Sequence, residues 1–154
     1  MRALSHRVRP SPPHRTASHP IASHRAGFGA FTQLWRGTGE SRYLTTARRL
    51  ADAALSAPEL TRDGVLTESC DTGSRACDDN QQQFKGIFVR HLANLADAIG
   101  SAAYRAYIAK QADSLWRTDR DPLNRLGQRW AGTGPNQSDW RTQASALEAL
   151  TAAQ

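Results

Sequence analysis

From Gln81 to Ile99 the apolar residues Phe84, Ile87, Phe88, Leu92, Leu95 and Ile99 recur every three or four positions, the spacing of one helix face. Gly100 suits the end of that helix, and Ser101 is a good cap for another. Two long helices must therefore double back across a very short joint. Strands alternate with a period of two, so this pattern excludes a sheet for the middle of the chain. The helical period continues on both sides. Phe28, Phe31, Leu34 and Trp35 make a short stripe that stops at Gly37 and Gly39. Ser41 opens a helix with Tyr43, Ala47, Leu50 and Ala54 on one face, and Pro58 ends it. The helix after Ser101 turns Tyr104, Tyr107, Ile108, Ala112 and Leu115 inward. A fifth helix starts near Asp139 and repeats Trp140, Ala144, Leu147 and Leu150 as its apolar face.

Connections within each helix pair are tight, whereas those between pairs, residues 58–80 and 120–138, are long. Short-then-long alternation is what stacked antiparallel helix pairs produce, with the long loops on one side. Asp63-Gly64 ahead of Val65-Leu66 predicts a turn and a short strand inside the first long loop. The expected fold class is all-α, built of helical hairpins, with binding chemistry sought in the loops. No stretch approaches the ~18 apolar residues needed to cross a bilayer, so no membrane span is expected.

The net charge of +6 invites a nucleic-acid reading until it is located. Arg2, Arg7, Arg9, Arg15 and Arg25 face no acidic residue within 1–26, so nearly all the excess sits there. The body from Gly27 onward is almost neutral, which argues against nucleic acid as a partner. Residues 1–26 also hold His6, His14, His19, His24 and four prolines, with no apolar period. This segment is expected to be a disordered basic tail, an upstream sequence without a structural role. It lacks the apolar stretch of a signal peptide, and its histidine spacings fit no metal-ligand pattern.

The densest chemistry lies between Cys70 and Arg90, CDTGSRACDDNQQQFKGIFVR. Lys85 falls inside the apolar sector of its helix, beside Leu92 and Ala96. Its amine must either reach the rim or find a partner near the helix start. Gly86 weakens the helix by about 1 kcal/mol relative to Ala, which either helix packing or a close-approaching group would explain. Asp78 and Asp79 could act as paired carboxyls, but acids just before a helix are also ordinary caps. Cys70 and Cys77 fit either a small-loop disulfide or two free thiols, and no third ligand at metal spacing lies nearby. Among the tryptophans, Trp116, Trp130 and Trp140 could stack on sugar rings, and Trp130, in a loop, is the preferred candidate.

The run CDDNQQQFKGIFVRHL (77–92) resembles glycoside hydrolase family 76, the endo-α-1,6-mannanases. AlaArgArgLeuAlaAspAlaAla (47–54), LeuThrArgAspGlyValLeuThrGlu (60–68), AlaAspSerLeuTrp (112–116), ArgTrpAlaGly (129–132) and GlnAlaSerAlaLeuGluAlaLeu (143–150) agree in order, so the resemblance covers nearly all of 27–154. It implies an (α/α)6 toroid with an open groove for α-mannan, cleaving with retention, and a secreted protein. It also implies that the catalytic residues are an adjacent aspartate pair in the amino-terminal half. This chain aligns with the carboxy-terminal portion, so Asp78-Asp79 does not inherit that role, and no catalytic residue is assigned. Asn80, Gln81, Phe84, Lys85 and Arg90 inherit a place on the groove wall, joined by Trp130.

The resulting expectation is a family-76-like fragment that binds α-mannan-type polysaccharide or oligosaccharide without turnover, metal or cofactor. The rival from another class is a helical-hairpin module that binds protein. An arc cut from a ring also leaves terminal faces bare. Phe28, Phe31 and Trp35 are expected to lack partners, and the chain to self-associate through exposed apolar helix faces.

Overall fold

The computed structural model describes residues 20–72, 76–132 and 136–154. Five helices carry the architecture: α1 (Pro20–Thr38), α2 (Ser41–Leu55), α3 (Gln81–Ile99), α4 (Ala102–Ser114) and α5 (Trp140–Ala152). A π-helical turn, Leu115–Asp119, prolongs α4. Helix α1 begins at Pro20, so its first turns reach into the segment that composition reads as tail. Residues 1–19, the rest of that segment, lie outside the described residues.

Helices α1, α3 and α5 pack side by side in one row. Helix α2 lies against α1 and α3, and α4 against α3 and α5, forming a second row. Tyr104 of α4 donates to Asp52 Oδ1 of α2 at 2.5 Å, which ties that second row together. The architecture is all-α, an arc of helical hairpins. Tight joints have identifiable causes. Gly39 (φ 73°) and Gly100 (φ 64°) adopt the left-handed conformation, open to glycine without a Cβ penalty. Ser101 N–H donates to Ala96 O at 3.0 Å, and Ser101 Oγ accepts from Tyr104 N at 3.3 Å to start α4. Between α2 and α3, strands β1 (Thr61–Arg62) and β2 (Val65–Leu66) pair across Asp63-Gly64, both at positive φ as a two-residue hairpin turn requires. Gln111, fully enclosed on α4, accepts from Leu66 N at 2.8 Å and donates to Gly64 O at 2.9 Å. The hairpin is thereby sewn onto α4 through its own backbone.

Two expectations about faces are corrected. Helix α5 does not bury Trp140, Ala144 and Leu147: Trp140 is 67% exposed, Leu147 57%, and Ala144 is exposed. It buries Thr142, Ser145, Ala146 and Ala149 instead. The reason is on α3, where a Cβ on Gly86 would stand 2.4 Å from Ser145 O and 2.6 Å from Ser145 Cα. Backbones this close admit only small side chains between them, and Ser145 Oγ accepts from Gly86 N at 2.9 Å. Bulky residues are forced outward. At the other end of the arc, Phe28 is not bare. It is buried edge-on against Phe88, with ring centroids 5.3 Å apart, and Phe31 stacks on Tyr43 at 6.2 Å.

Gly86→Ala is expected to destabilise the chain by about 1–3 kcal/mol, because overpacking outweighs the ~1 kcal/mol gain in helix propensity. Urea unfolding followed by circular dichroism checks the sign. A second expectation concerns alkali. Burial, reinforced by the Asp52 carboxylate, pushes the Tyr104 phenol up to about 12. A raised folded value means that this stabilisation is complete below the ordinary tyrosine range and is lost as pH climbs through about 12. Tyr104→Phe should cost about 1 kcal/mol at neutral pH and show a smaller further loss in strong alkali than the wild type. Unfolding midpoints at neutral pH and near pH 12 measure both effects.

Candidate functional site

Both long loops gather at the end of the arc where α3 and α5 begin. Asp78 opens α3: its Oδ1 accepts from Asn80 N at 3.0 Å and Gln81 N at 2.9 Å. Gln81 Oε1 accepts in return from Asp78 N at 3.0 Å, the reciprocal arrangement of a capping box. Asp139 opens α5 in the same way, accepting from Arg141 N at 2.8 Å and Thr142 N at 3.2 Å, while Thr142 Oγ1 accepts from Asp139 N. Asp79 reaches across to α5, where its Oδ2 pairs with Arg141 Nη2 at 2.8 Å.

Behind this rim lies a buried charge. Lys85 is fully enclosed, and its ammonium donates to Asp71 Oδ2 at 2.6 Å and to the carbonyl of Gln128. The Trp130 ring lies 5.3 Å from the nitrogen. Asp71 is buried too, and the same oxygen accepts from Glu68 N at 2.9 Å. Burial pushes the Lys85 ammonium below the usual lysine range, while Asp71, and then Glu68 and Asp119, draw it back up. Asp119 organises the second loop. One of its oxygens accepts from Gly127 N at 2.8 Å and the other from Asn136 Nδ2, and burial moves its carboxyl above the usual range. Ser114 and Thr118 both donate to Trp130 O at 2.8 Å, holding that residue's backbone in place.

Cys70 and Cys77 are joined by a disulfide that encloses Asp71 in its ring. Donor atoms of Cys70, Asp71 and Cys77 lie within 4.8 Å of one another, but sulfurs already bonded to each other are not the thiolates a metal needs. The residues expected on a groove wall do not share one surface. Lys85 and Trp130 come together in the interior, both almost fully enclosed, with the indole among the groups that compensate the ammonium. Asn80 is exposed at the helix start, Gln81 is almost enclosed, and Phe84 is half-buried. Arg90, exposed on α3, pairs with Glu148 Oε1 on α5 at 2.7 Å.

Two surface features were not foreseen from the sequence. A groove of about 400 Å³ runs between α3 and α5, lined by Arg90, Ala93, Asn94, Leu147, Glu148 and Thr151 among others. A depression of about 520 Å³ lies in the first long loop, lined by Glu59, Thr61, Thr67, Glu68, Ser69 and Thr72 among others. The density of hydroxyl and acidic side chains in 59–72 was the available signal. Among the described residues, no helix is long and apolar enough to cross a membrane.

An all-α arc with both long loops gathered at one end defines a helical-hairpin scaffold, and comparison with known proteins specifies its family. The model of glycosyl hydrolase family 76 matches residues 25–154, and the chain belongs to that family. An inactive variant of the α-1,6-mannanase GH76A of Salegentibacter sp. HEL1_6, with two consecutive aspartates changed to asparagine, was solved with α-1,6-mannotriose. It is 26% identical over 82% of this chain and 37% of its own, with a TM-score of 0.69. The unsubstituted enzyme gives 25% identity over 85% and 39%, with a TM-score of 0.70. The Lin0763 protein from Listeria innocua gives 25% identity over 86% and 36%, with a TM-score of 0.73. The chain thus spans between 36% and 39% of the length of these solved structures. No curated protein sequence matches it significantly.

Removing one member of a buried ion pair typically costs about 3–5 kcal/mol, since the other is left uncompensated. Asp71→Asn or Lys85→Met alone should each fall in that range. The double substitution should recover more than half of the summed loss, which a double-mutant cycle of urea midpoints measures.

Proposed function

We propose that this chain carries part of an α-1,6-mannan-binding groove and binds mannooligosaccharide without cleaving it, because it lacks the family's catalytic aspartate pair. The observation that carries the reading is the engagement of Asp78 and Asp79. Glycosidase carboxyls must flank one scissile bond at separations of ~5–9.5 Å. Here Asp78 is turned onto backbone N–H groups of its own helix start, and Asp79 onto the Arg141 guanidinium. The two side chains therefore diverge, Asp78 back onto its own helix and Asp79 toward α5, and do not flank one site as an acid and nucleophile would. Support for mannan as ligand comes from the related mannanase, whose inactive variants were solved with α-1,6-mannotriose and α-1,6-mannotetrose.

The alternative, a hairpin module that binds protein or a second copy of itself, is favoured by the exposed apolar residues Trp140 and Leu147 on α5. The test uses the purified chain with α-1,6-mannan and α-1,6-mannotriose. Calorimetry should show saturable binding, and reducing ends should stay at the buffer level. Reducing-end release that disappears in Asp79→Asn would make the pair catalytic. Absence of binding combined with concentration-dependent sedimentation would select the interaction module.

A further inference from the structure

Two tryptophans stand exposed at the loop end, Trp116 at 47% and Trp140 at 67%. Each has an arginine over its ring, Arg120 at 4.1 Å and Arg141 at 4.5 Å from the centroid. Their surroundings differ. The Arg141 guanidinium is held from two sides, by Asp79 Oδ2 at 2.8 Å and Asp139 Oδ2 at 3.2 Å, and its side chain is only 24% exposed. A clamped cation fixes one face of the Trp140 indole and leaves the other to solvent. Trp140 is also the first residue of α5, on the same helical face as Ala144, Leu147, Glu148 and Thr151, which line the groove against α3. The indole is exposed on that face about one turn before Ala144, the first groove residue of α5, and Asp79, with its side chain 70% exposed, holds the arginine that lies over it.

We infer that Trp140, buttressed by Arg141 and Asp79, is a stacking platform for one hexopyranose unit of the mannooligosaccharide. This inference rests on the mannan-binding reading above and names its contact point. A pyranose ring presents a face of C–H bonds that suits the negative face of an indole, and its hydroxyls suit carboxylate and guanidinium groups at the edge. A rigid aromatic clamped before binding loses little freedom on binding, which favours affinity. Trp116 shares the exposure, but no carboxylate clamps its arginine among the ion pairs of the described residues, and it does not lie on the helical face of α5 that continues into the α3–α5 groove.

The test is a titration of the ¹⁵N-labelled full chain with α-1,6-mannotriose, followed at the indole N–H signals. The Trp140 signal is identified by its loss in Trp140→Ala. The platform predicts that this signal shifts saturably and that Trp140→Ala weakens binding about tenfold or more. Trp140→Phe should retain most of the affinity, and Trp116→Ala should leave it unchanged. If mannotriose binds, but the Trp140 signal stays fixed and Trp140→Ala binds as the wild type does, the platform is overturned and the mannan-binding reading stands. If the wild type does not bind mannotriose, both fall. Because Trp140 is largely solvent-exposed, its replacement should leave the fold intact, and the direct shift of its signal decides the matter even if the alanine variant misfolds.

Discussion

Enclosing the ammonium of Lys85 is the constraint on which the loop end depends. Taking a cation out of water costs several kcal/mol even after relaxation, so an enclosed lysine persists only where compensating groups converge on it. None of those groups belongs to α3. Asp71 comes from the first long loop, while the Gln128 carbonyl and the Trp130 ring come from the second. Both loops must therefore close over the start of α3 before the charge is matched. Long loops gain little order from their own sequence, and each carries a closure cost that grows with length. The buried charge converts them from loose connections into fixed walls. The Cys70–Cys77 ring acts on the same stretch, since Asp71 lies within it.

A second constraint is the near contact of backbones between α3 and α5. Gly86 and Ser145 leave no room for a side chain larger than a hydroxymethyl, so α5 must present its small stripe to α3. That choice fixes everything on the opposite side of α5. Trp140 and Leu147 emerge on the surface, and Arg90 meets Glu148 across a shallow groove instead of across a filled interface. The groove is thus a consequence of a glycine one to two turns away from its lining residues on α3. Packing on one face has determined chemistry on the other.

The starts of α3, α4 and α5 were legible in the sequence because they are set by local chemistry, whereas the start of α1 at Pro20, inside a segment read as tail, was not. Gly100 with Ser101, Asp139 and the Asp63-Gly64 turn all act within a few residues of themselves. Lys85 was legible in part: its angular position required a burial argument, but not which groups would compensate it. Asp71, Glu68 and Asp119 could not be found that way, because they lie 14 or more residues from Lys85 and meet it only through the loops. The face of α5 was misread for a related reason. Trp140, Ala144, Leu147 and Leu150 form a valid apolar period, but period alone cannot tell a core stripe from a ridge when the facing helix offers a glycine. Trp130, preferred from its loop position as a sugar-facing residue, is almost fully enclosed. A loop position suggested access, whereas its carbonyl is captured by Ser114 and Thr118 and its ring faces the lysine.

The Asp78-Asp79 pair shows how adjacency in sequence can mislead about chemistry and still matter for the site. Two neighbouring side chains at a helix start diverge, so a single backbone geometry assigns them different duties. Asp78 satisfies amide donors that α3 leaves open at its first turn. Asp79 crosses to the first turn of α5 and holds Arg141, which in turn lies over Trp140. The pair therefore brackets the starts of two helices that also meet where Ser145 packs against the first turns of α3. Neutralising Asp79 would remove one of two carboxylates from Arg141, freeing the guanidinium to leave the indole. Its influence on a bound sugar would then pass through the position of an aromatic ring, with no proton transfer required.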